Sequence, residues 1–326
     1  MKTFLLLFAT ISLATATWAT STDSFQKRVP AAPGGKLVVD VDFGRIEVRT
    51  HDGDEVSVEA SRTVTLRSEA QETQFLADRP ISLTENGGVV SLRSRKPGGW
   101  KWLFGSKLEA NYVIQVPAAF AATLETRGGG IHVTGLKGTV RAKTSGGGLR
   151  FSTIQGDVHG HTSGGTIAAD ECDGEIVLET SGGTIDVSGG SGSVQADTSG
   201  GSIRIREFKG HAHAETSGGT ITLDRVKGGL KASTSGGSIQ ASLNGSVSDE
   251  VELETSGGSI TFRVAEGSAF ELDAETSGGG VKSEFTVEAE GKRKRSQVRG
   301  SVNGGGKLVT LRTSGGTIRV RKLEQP

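Results

Sequence analysis

Several groups of residues in this chain are of types that do chemistry. The six histidines include two His-x-His pairs, His159 with His161 and His211 with His213. Alternate residues of a strand share a face, so each pair could bind a metal ion weakly, but a complete site needs further ligands. The two pairs fall three repeats apart, roughly 14 Å by strand spacing, too far to share one ion. Asp170, Glu171, Asp173 and Glu175 form an acidic corner of calcium-ligand chemistry. It occurs once and lacks the Gly-Gly-x-Gly-x-Asp repeat of calcium-loaded β-rolls. Arg204 and Arg206 flank Asp186 and Asp224 in neighbouring repeats, so cross-strand ion pairs explain them better than polysaccharide cleavage. No nucleophile, base and orienting group come together. The reading assigns no catalytic residue, no cofactor-binding residue and no metal site.

Two segments are better suited to binding. Trp100, Trp102 and Phe104 lie in the run Trp-Lys-Trp-Leu-Phe between glycines, and this segment either plugs an open end of the fold or docks a partner. Lys292, Arg293, Lys294 and Arg295 follow Gly291 as a basic hairpin tip, which could contact anionic lipid, glycan or nucleic acid. Equal counts of Lys+Arg and Asp+Glu, 37 each, give no overall case for nucleic acid.

These residues must be positioned by a repeat. Thr-Ser-Gly-Gly begins at Thr144, Thr162, Thr180, Thr198, Thr216 and Thr234, every 18 residues, and Thr-Arg-Gly-Gly precedes them at Thr126. Further copies begin at Thr255, Thr276 and Thr313, at intervals of 21, 21 and 37. A fixed short period means stacked coils. Counting Thr as position 1, positions 6 and 8 are apolar (Ile185 and Val187, Ile203 and Ile205) and alternate with polar residues, which predicts a strand with one buried face. Positions 15 and 17 (Ile176 and Leu178, Val194 and Ala196) predict a second strand, which the next Thr continues inward. Position 11 is a third core column, and Cys172 stands in it beside Ile154 and Phe208. A small buried thiol is the expectation there.

Each coil is therefore strand, corner, strand, corner. Stacked Thr and Ser hydroxyls are expected to bond one another as ladders. The Gly-Gly pair and the Gly at position 13 are expected to supply positive φ at the corners. On this reading Gly182→Val or Gly218→Val destabilises the coil strongly.

Outside the regular coils the pattern loosens. Strands are expected over 36–48, broken at Gly44, and over 55–60, 81–93 and 110–116, with a helix over 68–78. This part reads as degenerate coils and a cap over 20–125, protecting an edge that would otherwise recruit other chains. The regular solenoid spans 126–326, with a hairpin inserted near 283–303. The first residues read as an export signal over 1–19: Lys2, an apolar stretch over 4–13, and cleavage after Ala16 or Ala19. That stretch is too short to span a membrane, and no later segment is apolar enough. One cysteine among 326 residues allows no internal disulfide.

The run Tyr112-Val113-Ile114-Gln115-Val116-Pro117, then Leu124-Glu125-Thr126, Ile131, Leu136, Gly138 and the Ser-Gly-Gly series resembles the bacterial "putative adhesin" family of unknown function. The resemblance covers about 35–323. It implies an exported or membrane-tethered β-solenoid and carries over no catalytic motif. The expected architecture is an all-β single-stranded β-helix with two strands per 18-residue coil, about ten coils long, with an irregular N-terminal cap. The expected function is a non-catalytic envelope protein, periplasmic or extracellular, that presents an extended binding surface. A self-assembling scaffold and a polysaccharide-active enzyme are the alternatives. Expected partners are an envelope glycan, another envelope protein or a second copy end to end, with no nucleic acid and no transmembrane span in the mature chain.

Overall fold

The computed structural model describes residues 21–96, 107–289 and 294–323. The expected export signal, the aromatic segment at 100–104, and Lys292 and Arg293 lie outside the described residues. Within them, strands build two long sheets of 14 and 15 strands. Each regular coil gives one strand to each sheet. Neighbouring strands run parallel and one repeat apart: Leu149 pairs with Ile131 and Ile167, and Val158 pairs with Val140 and Ile176. The all-β solenoid expected from the period is therefore the fold. Positions 6, 8, 11, 15 and 17 face one continuous core. Cys172 is buried in it, and burial pushes its thiol up to about 11, so it stays protonated and inert.

The Thr of each repeat is buried, as expected, but the expected ladder of hydroxyls does not form. Thr162 Oγ1 donates to the Gly147 carbonyl of the preceding coil at 2.8 Å and accepts the Gly165 N–H of its own corner at 3.3 Å. Thr180 and Thr198 repeat this with Gly165 and Gly183, both at 3.0 Å. A buried hydroxyl needs such partners. The second Gly of each pair is the reason for close stacking. A Cβ on Gly183 would collide with the Gly165 carbonyl, whereas one on Gly182 would find nothing nearer than 3.9 Å. Neither has positive φ. The expected sensitivity at Gly182 and Gly218 therefore belongs to Gly183 and Gly219, and its cause is backbone approach. Apart from Gly138, the position-13 glycines do take positive φ, 132° at Gly174 and 139° at Gly210.

Both ends depart from sequential order. At the N-terminus the chain runs β1 (Ser21–Pro30), β2 (Lys36–Val41), β3 (Arg45–His51), β4 (Glu55–Thr65), α1 (Glu69–Ala77), β5 (Ser82–Asn86), β6 (Val89–Ser94) and β7 (Lys107–Pro117). β2 lies between β6 and strand Ala121–Thr126, and β3 lies between β7 and strand Ile131–Thr134. The first coil is thus clasped by later chain. β4 and β1 then cover β7 with antiparallel pairing. β1 has no counterpart in the sequence reading.

At the C-terminus, strands Lys307–Thr313 and Ile318–Lys322 slot between the coil carrying Thr255 and the coil carrying Thr276. The Thr bonds record this order: Thr313 donates to Gly258, and Thr276 to Gly316, both at 2.8 Å. The 37-residue interval does hold an antiparallel hairpin, Glu288–Ala289 with Gln297–Val302, but the coil that follows it is not the next one in space. The chain forms the outermost coil first, covers its edge with antiparallel strand Gln297–Val302, and then returns to fill the gap.

The cap is fastened by a buried charge. Asp42 is fully buried and accepts from Arg79 Nε at 3.0 Å, Arg127 at 2.7 Å and the Lys96 N–H at 3.1 Å. This explains the Arg in the first, Thr-Arg-Gly-Gly copy. Ser68 caps α1, and Arg79 lies 4.0 Å over the Phe75 ring, which packs 5.8 Å from Phe43.

In urea denaturation, Gly183→Ala is expected to lower stability by about 3 kcal/mol or more and Gly182→Ala by less than about 1 kcal/mol. Asp42→Ala is expected to lower it by about 3–5 kcal/mol, because Arg79 is left buried without a counter-charge. Limited proteolysis would locate that loss in the cap.

Candidate functional site: an unpaired cationic sheet face

Charged residues on the central strands of the 14-stranded sheet are paired. Arg150 meets Asp170 at 3.1 Å. Asp186 receives Arg204 at 3.1 Å and Arg206 at 2.8 Å. Asp224 stands directly opposite Arg206 as expected, but its carboxylate meets Arg225 at 3.3 Å and Ser242 at 2.8 Å. The acidic corner is absorbed likewise, with Asp173 accepting from Ser191 at 2.7 Å. His161 lies 3.2 Å from Glu179 and His211 lies 3.6 Å from Asp249. Among the described residues no three His, Cys, Asp or Glu residues converge as a metal site.

The last coils of the 14-stranded sheet behave differently. Strand Ile260–Val264 lies beside Ile318–Lys322, which lies beside Val281–Ser283. Buried residues alternate with Thr261, Arg263, Arg319 and Arg321, and half-buried Val281 and Ser283 flank Lys282, so all five point outward. Arg263 stands directly opposite Arg321, and Arg319 directly opposite Lys282. Strands of one sheet are about 4.8 Å apart, and like charges directly opposite destabilise a sheet. Among the described residues no carboxylate forms an ion pair with Arg263, Arg319 or Lys282. The nearest acids engage the rim: Glu284 is 4.0 Å from Arg321, and Glu266 pairs with Lys322, which lowers the Glu266 pKa.

Of the residues singled out from the sequence, Lys294 and Arg295 join this face. The Arg295 carbonyl accepts the Val281 N–H at 2.9 Å, and its side chain lies against Gly280. Both residues are exposed and unpaired among the described residues. Trp100, Trp102, Phe104, Lys292 and Arg293 lie outside the described residues. Sequence reasoning missed Arg263, Lys282, Arg319 and Arg321. The available signal was the excess of Arg263, Lys282, Arg319 and Arg321 at positions 7 and 9 of the last three repeats over a single acid there, Glu284.

The family described as Toastrack DUF4097 matches residues 35–321. The chain belongs to this family. Similar solved structures include a "putative adhesin" from Bacteroides fragilis, 10% identical with a TM-score of 0.36, covering 92% of this chain and 97% of that one. Another "putative adhesin", from Parabacteroides distasonis, is 11% identical with a TM-score of 0.39 and the same coverage. A "putative lipid binding protein" from that organism is 12% identical with a TM-score of 0.35, covering 93% of this chain and 97% of that one. No curated protein matches the chain. The resemblance read from the Tyr112 run and the Ser-Gly-Gly series is thus borne out. Among the described residues no helix of this Toastrack chain is long and apolar enough to cross a membrane.

Relief of like-charge repulsion gives a direct check on the site. Arg319→Thr is expected to raise stability by about 0.3–1 kcal/mol at low ionic strength. The gain should fade as salt screens the cluster, followed by thermal unfolding at increasing salt.

Proposed function

We propose that this protein is an exported, non-catalytic binding module of the cell envelope, working in the periplasm or outside the cell. It holds an anionic partner on the cationic end of its 14-stranded sheet. The observation that carries this reading is the contrast in pairing. On the 14-stranded sheet Arg150, Arg204 and Arg206 are neutralised by carboxylates one coil away, whereas Arg263, Arg319 and Lys282 stand together without one. A protein that keeps a destabilising charge cluster on a rigid face has placed there a surface for something of opposite charge. Lys294 and Arg295 extend that surface, and Lys292 and Arg293, next to them in sequence, are candidate contacts of the same partner. The aromatic residues Trp100, Trp102 and Phe104 are a second candidate contact, toward another envelope protein.

End-to-end assembly is the weaker reading. At one end β1 turns Asp23 toward Arg62 and Lys27 toward the Leu83 carbonyl, and inward-pointing charges blunt an edge strand. At the other end the outermost strands are only three and two residues long. Polysaccharide cleavage is weaker still, because several outward carboxylates of the central coils already serve in ion pairs.

Retention on an immobilised acidic polysaccharide, compared with a neutral one, tests the reading. The intact protein is expected to bind only the acidic matrix, elute with salt and release no product. The double variant Arg263→Ser, Arg319→Ser should lose about tenfold or more in affinity. Unchanged retention of that folded variant would overturn the proposal, and cell fractionation of tagged protein tests the compartment.

A further inference from the structure

The cationic cluster is the end of a longer row. Reading outward residues from strand to strand along the solenoid gives Thr222, Gln240, Thr261, Arg319 and Lys282 in direct register. The row spans four strand spacings, roughly 19 Å. Its first three members carry neutral hydroxyl or amide groups, and among the described residues none of those side chains has a hydrogen-bond partner. Elsewhere on this sheet several outward polar side chains are tied to one another, as Arg150 is to Asp170 at 3.1 Å and Thr134 to His132 at 3.3 Å. The row is therefore a straight lane of free donors and acceptors that leads into unpaired guanidinium and ammonium groups.

We infer that the anionic partner is an acidic polysaccharide lying along the solenoid axis, with sugar hydroxyls on Thr222, Gln240 and Thr261 and carboxylate groups on Arg319, Arg263 and Lys282. This rests on the binding function proposed above and adds the ligand class and its direction. An extended polysaccharide advances by about one strand spacing per sugar, so successive sugars meet successive strands. Guanidinium groups bind carboxylates through paired hydrogen bonds. Single-stranded nucleic acid needs aromatic platforms for its bases, and neither the lane nor the cluster has one. A bilayer surface rewards apolar side chains beside the cations. The large exposed hydrophobic residues of the described chain are Val89 and Leu308, and both belong to strands of the other sheet.

The test compares oligogalacturonate, inorganic tripolyphosphate and phosphatidylglycerol vesicles as probes, with folding of every variant checked by circular dichroism. The lane variant Gln240→Ala, Thr261→Ala is expected to weaken oligogalacturonate about tenfold and leave tripolyphosphate unchanged. The cluster variant Arg263→Ser, Arg319→Ser is expected to weaken both. If the lane variant holds oligogalacturonate as well as the parent does, or if vesicles compete it away, the polysaccharide assignment is wrong while anion binding stands. If the cluster variant binds both soluble anions unchanged, the underlying binding function is wrong as well.

Discussion

Everything in this molecule hangs on how closely one coil can approach the next at the Thr-Ser-Gly-Gly corner. The fourth residue of the motif packs its Cα where any side chain would strike the carbonyl of the coil below. That same carbonyl is the acceptor for the buried Thr hydroxyl. Packing and polar satisfaction are thus one contact. Without the close approach the hydroxyl would be buried and unpaired. This coupling explains which lengths can vary. The coil between Thr234 and Thr255 has 21 residues instead of 18, and its extra residues fall between Leu243 and Val251, away from the corner.

The same contact tolerates a change of order. Every coil offers an equivalent corner to its neighbour, so a coil formed late can occupy a place between two formed early. Thr313 between Thr255 and Thr276 is one case, and β2 with β3 is the other. The consequence is that neither the first nor the last coil is a free end. The last two strands, which would otherwise fray, are clasped on both sides, and antiparallel strands lie over every sheet edge but that of Val281–Ser283. Asp42 adds a polar clamp, joining the C-terminus of α1, the segment after β6 and the first corner through Arg79, Lys96 and Arg127.

Charge follows a second logic on the outside. In the central coils of the 14-stranded sheet, sign alternates between Asp186 and Arg204 and between Arg206 and Asp224, and the ion pairs support the sheet. At the end of the 14-stranded sheet the alternation stops, and arginine faces arginine. A neutral polar row runs into this cluster without interruption. The solenoid is a ruler with a fixed pitch, and what varies along it is what the outward positions carry at each mark.

Much of the fold was legible in the residues alone. The period, the inward columns at positions 6, 8, 11, 15 and 17, the inward Thr, the thiol of Cys172 and the helix capped by Ser68 all follow from local alternation and capping. β1 was not legible, because its inward positions include Asp23 and Lys27, whose partners Arg62 and Leu83 are distant in sequence. The role of each Gly was only half legible: composition says a corner, but φ and distance separate Gly182 from Gly183. The cationic face was hidden for the same reason as the interlocked ends. Equivalent coils make sequence order silent about spatial order, so only the tertiary structure decides that Arg319 and Arg321 lie between Arg263 and Lys282. The repeat by itself determined the coil, its core and its pitch, since these depend on residues within one period. Which coils touch, and therefore which charges go unpaired, depends on contacts between periods, and those exist only once the chain is stacked.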